Sequence, residues 1–532
     1  MEANALIRGL ELNMRQSAKL FQKPLASKSA DTVNREGYPA FKQDLESAYL
    51  QMLLTNTFGS AYYATQKELV TESERTHTAM LAKDPSFVAK ALPYARNRGF
   101  MRTQPIYGLV RMAQTPEAAP YFEATFNEVI RTPNDLGDFF TILRAQRKGE
   151  GGRRVKRVAG NWLMKQLSPY WTVKYGATKS GGYSLRDLFC TLHPKGEKSV
   201  LVDYLFDRAK GELPEQVAAF ERLKKATTDE EKIAAIEAGR LPHEVASSFA
   251  GKSPKVWVAI VKHMPVFAML RNLATMERHG VMNAVRDHVV ATLSNAEVIA
   301  KSKIFPFRFA EAMHHVNDAR VKDALRDALD LSFAAVPDIE GRTSIFLDIS
   351  GSMQSYIQTA SVFAISAMKK AKNNGRFLLF NTREQEFAVS MRDSVLTQAD
   401  RIRADGGTAT DAPMRRIFTD RDKMDNIILI TDEQQNQGSP FVDVLAGYRE
   451  KVSRDCKCFI LNVAPYSGGL SGQLAEHDPR GLNFFVYGWS DQALQFIAMA
   501  SKGWSSYVEH VRNGTKSEAD FAEDGSTGEI PS

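Results

Sequence analysis

At 532 residues the chain is longer than one hydrophobic core usually supports, which predicts at least two domains. Its 43% apolar and 25% charged residues belong to a folded globular protein and exclude a disordered or fibrous one, and no apolar run reaches the roughly 18 residues a membrane span needs. The net charge of +7 is unevenly held: residues 1–340 carry 48 Lys and Arg against 38 Asp and Glu, whereas residues 341–532 carry 21 against 24. Three cysteines, Cys190, Cys456 and Cys458, are odd in number and lack a framework spacing, so a reducing compartment without structural disulfides is expected. With no apolar core to a leader at the N-terminus, the reading is a cytoplasmic protein that engages no membrane.

Residues 1–40 show no sustained period and read as an irregular N-terminal arm. From Asp44 onward, helical stretches separated by polar or Pro/Gly breaks are expected at Asp44–Leu54, Ser60–Val70, Thr76–Leu81, Pro85–Asn97, Pro105–Ala113, Ala118–Arg131 and Leu136–Arg147. Apolar residues recur there at three- and four-residue spacing, as in Ile106, Leu109, Val110 and Ala113, and strand-like alternation is missing. Paired short helices over some 300 residues predict an all-α solenoid of the HEAT or armadillo kind over 41–340, whose stacked pairs curve into an arc.

The basic character of this part is concentrated. Residues 151–200 hold 10 basic and 2 acidic residues, the pattern of a patch that meets a polyanion. Residues 153–163 read as a helix whose buried stripe is Val155, Val158, Ala159 and Trp162, leaving Arg153, Arg154, Lys156, Arg157 and Lys165 mostly outside it. Further on, Lys174, Lys179, Arg186, His193 and Lys195 interleave with Tyr170, Trp171, Tyr175, Tyr183 and Phe189. Cations set among aromatics contact phosphates and stack on unpaired bases, so Arg153, Arg154, Arg157, Lys174, Lys179, Arg186 and His193 are the candidate RNA-binding residues. The apolar stretch Ser253–Val281 reads as a helical pair divided by Pro265.

After Val336-Pro337 the text changes to β-α alternation, with strands expected at Thr343–Leu347, Arg376–Phe380, Glu386–Val389, Asn426–Thr431, Lys457–Val463 and Asn483–Tyr487. That order predicts a doubly wound α/β domain over 341–512, followed by a mobile tail over 513–532. Cys456-x-Cys458 lies in an apolar run and reads as buried strand. The first strand ends in Asp348, and Ser350 and Ser352 follow at alternate positions of the turn; Thr408 stands in a glycine-led loop, with Thr410 as its rival, and Asp432 ends another apolar strand. Together these oxygens form a shell of low formal charge suited to a hard divalent ion, Mg²⁺ or another such as Mn²⁺. The expectation is that Ser350, Ser352 and Thr408 ligate directly and Asp348 and Asp432 act largely through water.

The pattern Asp348-x-Ser350-x-Ser352, Thr408, Asp432 resembles the metal-ion-dependent adhesion site of von Willebrand factor A domains. A second resemblance covers residues 35 to 510. WVAIVKHMPVFAMLRNLATM at 257–276, KIFPFRFA at 303–310, YSLRDLFCTLHPK at 183–195, TNTFGSAYYA at 55–64 and the turn after Asp348 resemble the Ro ribonucleoprotein family, a TROVE helical-repeat ring closed by an A domain. The resemblance implies a ring that binds small noncoding RNAs of the Y type on its basic outer surface. It also implies that single-stranded 3′ ends of misfolded RNAs pass through the central hole, in partnership with an exoribonuclease, and a ring closed within one chain fits a monomer. The other reading is a protein-binding, adhesion- or cochaperone-like A-domain scaffold that uses the metal. An aspartyl-nucleophile hydrolase is disfavoured because Ser350 stands where such an enzyme needs its second carboxylate, and no other catalytic pattern is present, so no catalytic activity is expected.

Overall fold

The computed structural model describes residues 45–513, apart from 56–65, 147–150, 177–181, 196–198, 433–436, 463–469, 471–473, 475–481, 488–490 and positions 100, 303, 305, 334, 335, 373 and 503. The expected arm, the tail beyond Asn513 and Lys179 lie outside the described residues. The first part is helical throughout: α1 (Leu45–Thr55), α2 (Gln66–Lys83), α3 (Pro85–Asn97), α4 (Thr103–Gln114), α5 (Phe122–Val129), α6 (Pro133–Ala145), α7 (Gly152–Gln166), α8 (Pro169–Tyr175), α9 (Leu185–Leu192) and α10 (Val200–Leu205). It continues with α11 (Glu215–Lys225), α12 (Asp229–Gly239), α13 (His243–Ala250), α14 (Pro254–Val261), α15 (Val266–Arg278), α16 (Met282–Leu293), α17 (Ala296–Ser302), α18 (Pro306–Met313) and α19 (Ala319–Ser332).

Side-chain caps set many of these boundaries. Asp84 accepts from the Phe87 N–H at 3.0 Å and starts α3. At α6, Thr132 accepts from Asp135 N–H at 3.2 Å while Asp135 accepts from Thr132 N–H at 3.1 Å, a reciprocal box that Ser184 and Asp187 repeat at α9. The expected helix Ala118–Arg131 is shorter than its apolar pattern, because Pro120 cannot continue a helix, and α5 begins only at Phe122 after a 3-10 turn at Pro116–Ala118. Alternate helices pack on one another, α3 on α5, α4 on α6, α12 on α14 and α14 on α16, which is how a stack of helix pairs advances.

The second part interleaves β1 (Thr343–Asp348), α20 (Ile357–Lys370), β2 (Gly375–Phe380), β3 (Glu384–Glu386), α21 (Val395–Ala399), α22 (Asp411–Thr419), β4 (Asn426–Thr431), α23 (Phe441–Lys451), β5 (Lys457–Asn462), β6 (Asn483–Tyr487), α24 (Asp491–Ser501) and α25 (Trp504–Asn513). The sheet order is β3-β2-β1-β4-β5-β6, parallel except for the β3 edge. β3 ends earlier than Val389 because the chain leaves the sheet after Phe387, and Ser390 N–H donates to the Gln398 side chain at 2.7 Å instead of to a strand. Ile345, Leu347, Ile428 and Ile430 point to one face, into a core continuous with that of the helical part, and Phe346, Ile427 and Leu429 point to a smaller core under α22 and α23.

The α/β part therefore packs against both ends of the helical arc. At the late end Phe307 stacks on Phe363 of α20, with ring centroids 5.5 Å apart, and the Val395 N–H of α21 donates to Asp330 of α19 at 3.4 Å. At the early end Arg512 of α25 reaches Glu46 of α1 at 3.0 Å and Asp84 at 2.8 Å, with its guanidinium 5.0 Å from the centre of the Phe87 ring. The helical ring is closed by the α/β part.

Candidate metal centre and nucleic-acid interface

In a sheet of this order the connections diverge between β1 and β4, and ligands bind in open α/β sheets at the carboxyl ends of the strands where that happens. Asp348 ends β1 and Asp432 directly follows β4, so both carboxylates stand at this crevice; each is almost completely buried, as are Ser350 and Thr408. Thr431 Oγ1 donates to Asp348 Oδ2 at 2.7 Å, and the Ser350 N–H donates to Oδ1 at 2.8 Å, so the carboxylate is aimed before any ligand arrives. Burial pushes the Asp348 carboxyl up to about 6 against the opposing effect of the bonds from Ser350 and Thr431, and the neighbouring Asp432 charge adds to the rise.

Ser350 Oγ and Ser352 Oγ lie 3.2 Å apart. The loop that carries Thr408 is tied to this turn by two bonds, Gly351 N–H to Gly406 carbonyl at 2.9 Å and Asp405 N–H to Ile349 carbonyl at 2.6 Å. Gly406 takes a φ of +84°, a left-handed conformation that glycine adopts without cost. Thr408 is the threonine of this loop whose carbonyl also receives the Gln437 N–H, at 3.0 Å. Thr410, its rival, is fully buried at the start of α22, and its hydroxyl oxygen has no hydrogen-bond partner among the described residues. The donor set of Asp348, Ser350, Ser352, Thr408 and Asp432 is all oxygen, and the loops that carry it are held together at one strand edge, an arrangement that can hold a hard divalent cation. Thr431 was missed from sequence, although the β1–β4 register, which sets Leu347 opposite Ile430, makes it the residue beside Asp348.

Of the candidate RNA contacts, Arg153 and Arg157 are exposed on α7, while Val155, Val158, Ala159 and Trp162 are buried as their spacing requires. Arg154 is half-buried, with its guanidinium 5.6 Å from the centre of the Phe122 ring, and Arg157 lies 3.7 Å from Glu123. Arg186 and His193 are both exposed at opposite ends of α9; His193 caps it with a φ of 44°, and Arg186 approaches Asp207 at 3.2 Å. Packing joins these helices, since α9 lies on α7 and Trp162 meets Trp171 of α8 with ring centroids 5.4 Å apart. Lys174 differs: it is 21% exposed and bonded to Glu244 at 2.8 Å and to the Tyr170 hydroxyl at 3.2 Å. Burial is the largest single influence and opposes its charge, but the bond to Glu244 together with the charges of Tyr175, Tyr170 and Glu244 outweighs it and holds the ammonium above its ordinary value.

With this geometry in hand, comparison with known proteins gives consistent matches. The profile of the TROVE domain matches residues 242–370, from the start of α13 to the end of α20. Residues 242–370 are thus similar to a TROVE domain. The chain is 22% identical over 464 residues to the RNA-binding protein RO60 of Deinococcus radiodurans, covering 79% of itself and 86% of that protein. It is 25% identical over 435 residues to the RNA-binding protein RO60 of Caenorhabditis elegans, covering 64% of itself and 66% of that relative. The crystal structure of the Deinococcus radiodurans RO (RSR) protein superposes with a TM-score of 0.72 at 19% identity, over 87% of this chain and all of that one, so the two share a fold.

Proposed function

We propose that the chain is an RNA-binding ring scaffold that takes up small noncoding RNAs of the Y type and the single-stranded 3′ ends of misfolded RNAs, in RNA quality control or processing. In this reading it acts as a single copy in the cytoplasm, hands RNA to an exoribonuclease and performs no catalysis of its own. The relatives' description as RNA-binding proteins supports the coarse reading. The observation that carries it here is the acid-poor stretch 151–200, which buries its apolar stripe and leaves Arg153, Arg157, Arg186 and His193 at the surface of adjoining helices. Arg154, Lys174 and Lys179 complete the set expected from sequence, with Lys174 contributing through the aromatic wall of Tyr170 and Tyr175.

Binding of a structured RNA at two salt concentrations tests this. Each phosphate neutralised releases counterions, so removing Arg153, Arg157 or Arg186 lowers the log–log salt slope by about one unit or less per residue. Equal losses on replacing Arg416 and Arg421, which are exposed in the α/β part, would mean diffuse attraction and refute the patch.

A second reading is favoured by the convergence of Asp348, Ser350, Ser352, Thr408 and Asp432. Here the α/β part works as a von Willebrand factor A domain, its site holding Mg²⁺ or Mn²⁺ and binding a protein partner in the manner of an adhesion or cochaperone scaffold. Asp348, Ser350, Ser352, Thr408 and Asp432 would hold the cation, which when bound would supply a Lewis-acidic contact for an oxygen of the partner.

A further inference from the structure

Beside the metal-type site, the β2–β3 turn, α22 and residues Gln437 and Gly438 line an open surface cavity of about 380 Å³. It shares a wall with that site, since Ala409 lines the cavity, follows Thr408 directly and donates its N–H to the Asn381 carbonyl at 2.7 Å. Three arginines, Arg383, Arg415 and Arg416, line it against a single acid, Glu384, and Thr382 and Thr419 add hydroxyls. The guanidinium of Arg415 is held by Asp411, a fully buried carboxylate that also accepts the Ser439 N–H at 3.0 Å. Arg416 is bonded to Asp420 at 2.8 Å and lies 3.8 Å from Glu384. Arg383 is exposed and makes no ion pair among the described residues.

Two cations fixed by their neighbours and a third left unneutralised make a pre-set receptor for an anionic group, because paired guanidinia lose little freedom when a carboxylate docks. The surroundings choose between anions. Residues 341–532 hold 21 basic against 24 acidic residues, so no long-range field draws a polyanion to this part. A cavity of this volume admits one or two side chains, whereas a nucleic-acid strand is bound along an extended track of cations and aromatics. We propose that this cavity docks an acidic segment of a partner protein, with a Glu or Asp side chain of that segment bridging Arg383 and Arg416. This extends the protein-binding reading by a second contact that needs no cation.

Fluorescence anisotropy of a labelled, end-capped peptide carrying a single Glu among neutral residues tests the assignment with the full chain, with a labelled oligouridylate run in parallel at about 0.15 M salt to screen diffuse attraction. Arg383→Glu and Arg416→Gln, both at exposed positions, are expected to weaken peptide binding about tenfold each, the usual loss when one charge-assisted pair is broken, and to leave oligouridylate unchanged. Peptide binding that persists in chelator or in Asp348→Ala, yet is lost in Arg383→Glu, supports the cavity while removing the cation from the reading. No peptide binding by the native chain, peptide affinity unchanged in both arginine variants, or a loss confined to oligouridylate would each overturn the proposal.

Discussion

Asp348 is where the chemistry of single residues is most constrained. Its two oxygens already accept bonds from Thr431 and Ser350, so the side chain keeps its place when the ligand is absent, and replacing it removes charge without opening a large void. Asp348→Ala is therefore expected to abolish the calorimetric signal for Mg²⁺ and Mn²⁺ while circular dichroism stays unchanged; an unaltered titration would remove the assignment. His77 shows the opposite use of burial. It is fully buried, and its Nε2 donates to the Gln104 carbonyl oxygen at 3.2 Å, which leaves Nδ1 to accept from the Tyr49 hydroxyl at 2.9 Å. Burial lowers its pKa from 6.5 to about 3, so between these values the unfolded chain takes up a proton that the native ring refuses. Stability then falls as pH drops, by about 2 kcal/mol between pH 7 and pH 5. Urea unfolding of the native chain and a His77→Gln variant at both pH values checks the sign: the native chain should lose about that much more, and equal losses would contradict it.

At the scale of elements, β5 illustrates why strands were easier to read than helix ends. Lys457–Asn462 alternates between the two sheet faces, with Cys458 and Ile460 in one core and Phe459 and Leu461 in the other, so a run that is apolar throughout reads as a central strand from either side. Burial pushes the Cys456 thiol well up, and Cys458 is equally hidden, whereas Cys190 is exposed on α9. A thiol reagent should accordingly label the native chain once, and Cys190→Ser should abolish labelling; modification at Cys456 or Cys458 without denaturant would show that the strand opens. Helices were legible where a proline or cap announced them, as at Pro85–Asn97 and around Pro265, and less so where the signal lay in tertiary pairing. The metal-type oxygens were visible because strand ends and turns are local. The Lys174–Glu244 pair was not, since it joins α8 to α13 across 70 positions, and nothing in an acid-poor window discloses an acid outside it.

For the whole molecule, α25 helps to close the ring beside α24 and β6, which also pack on α1, and its Arg512 serves two helices at once. The guanidinium bonds Glu46 and Asp84 and lies over Phe87, and its own carbonyl accepts from Lys90, so one residue joins α1, the α2–α3 junction and α3 to the end of the α/β part. Glu46 is 11% exposed on its side chain and retains Lys83 at 2.8 Å when the arginine is removed, so its charge is not left alone. Arg512→Ala should thus cost about 1 to 3 kcal/mol at the closure, the range for bonds to partly buried charges, and leave the stacked helices α11–α16 intact. Such a loss is local rather than global, because Phe307 on Phe363 and the Asp330 bond still hold the α/β part at the other end. Hydrogen exchange should then rise in α1, α3 and α25 and remain native in α14–α16, with small-angle scattering showing a larger radius of gyration. Faster exchange spread evenly over all the helices would instead mean that closure and the stack are one cooperative unit.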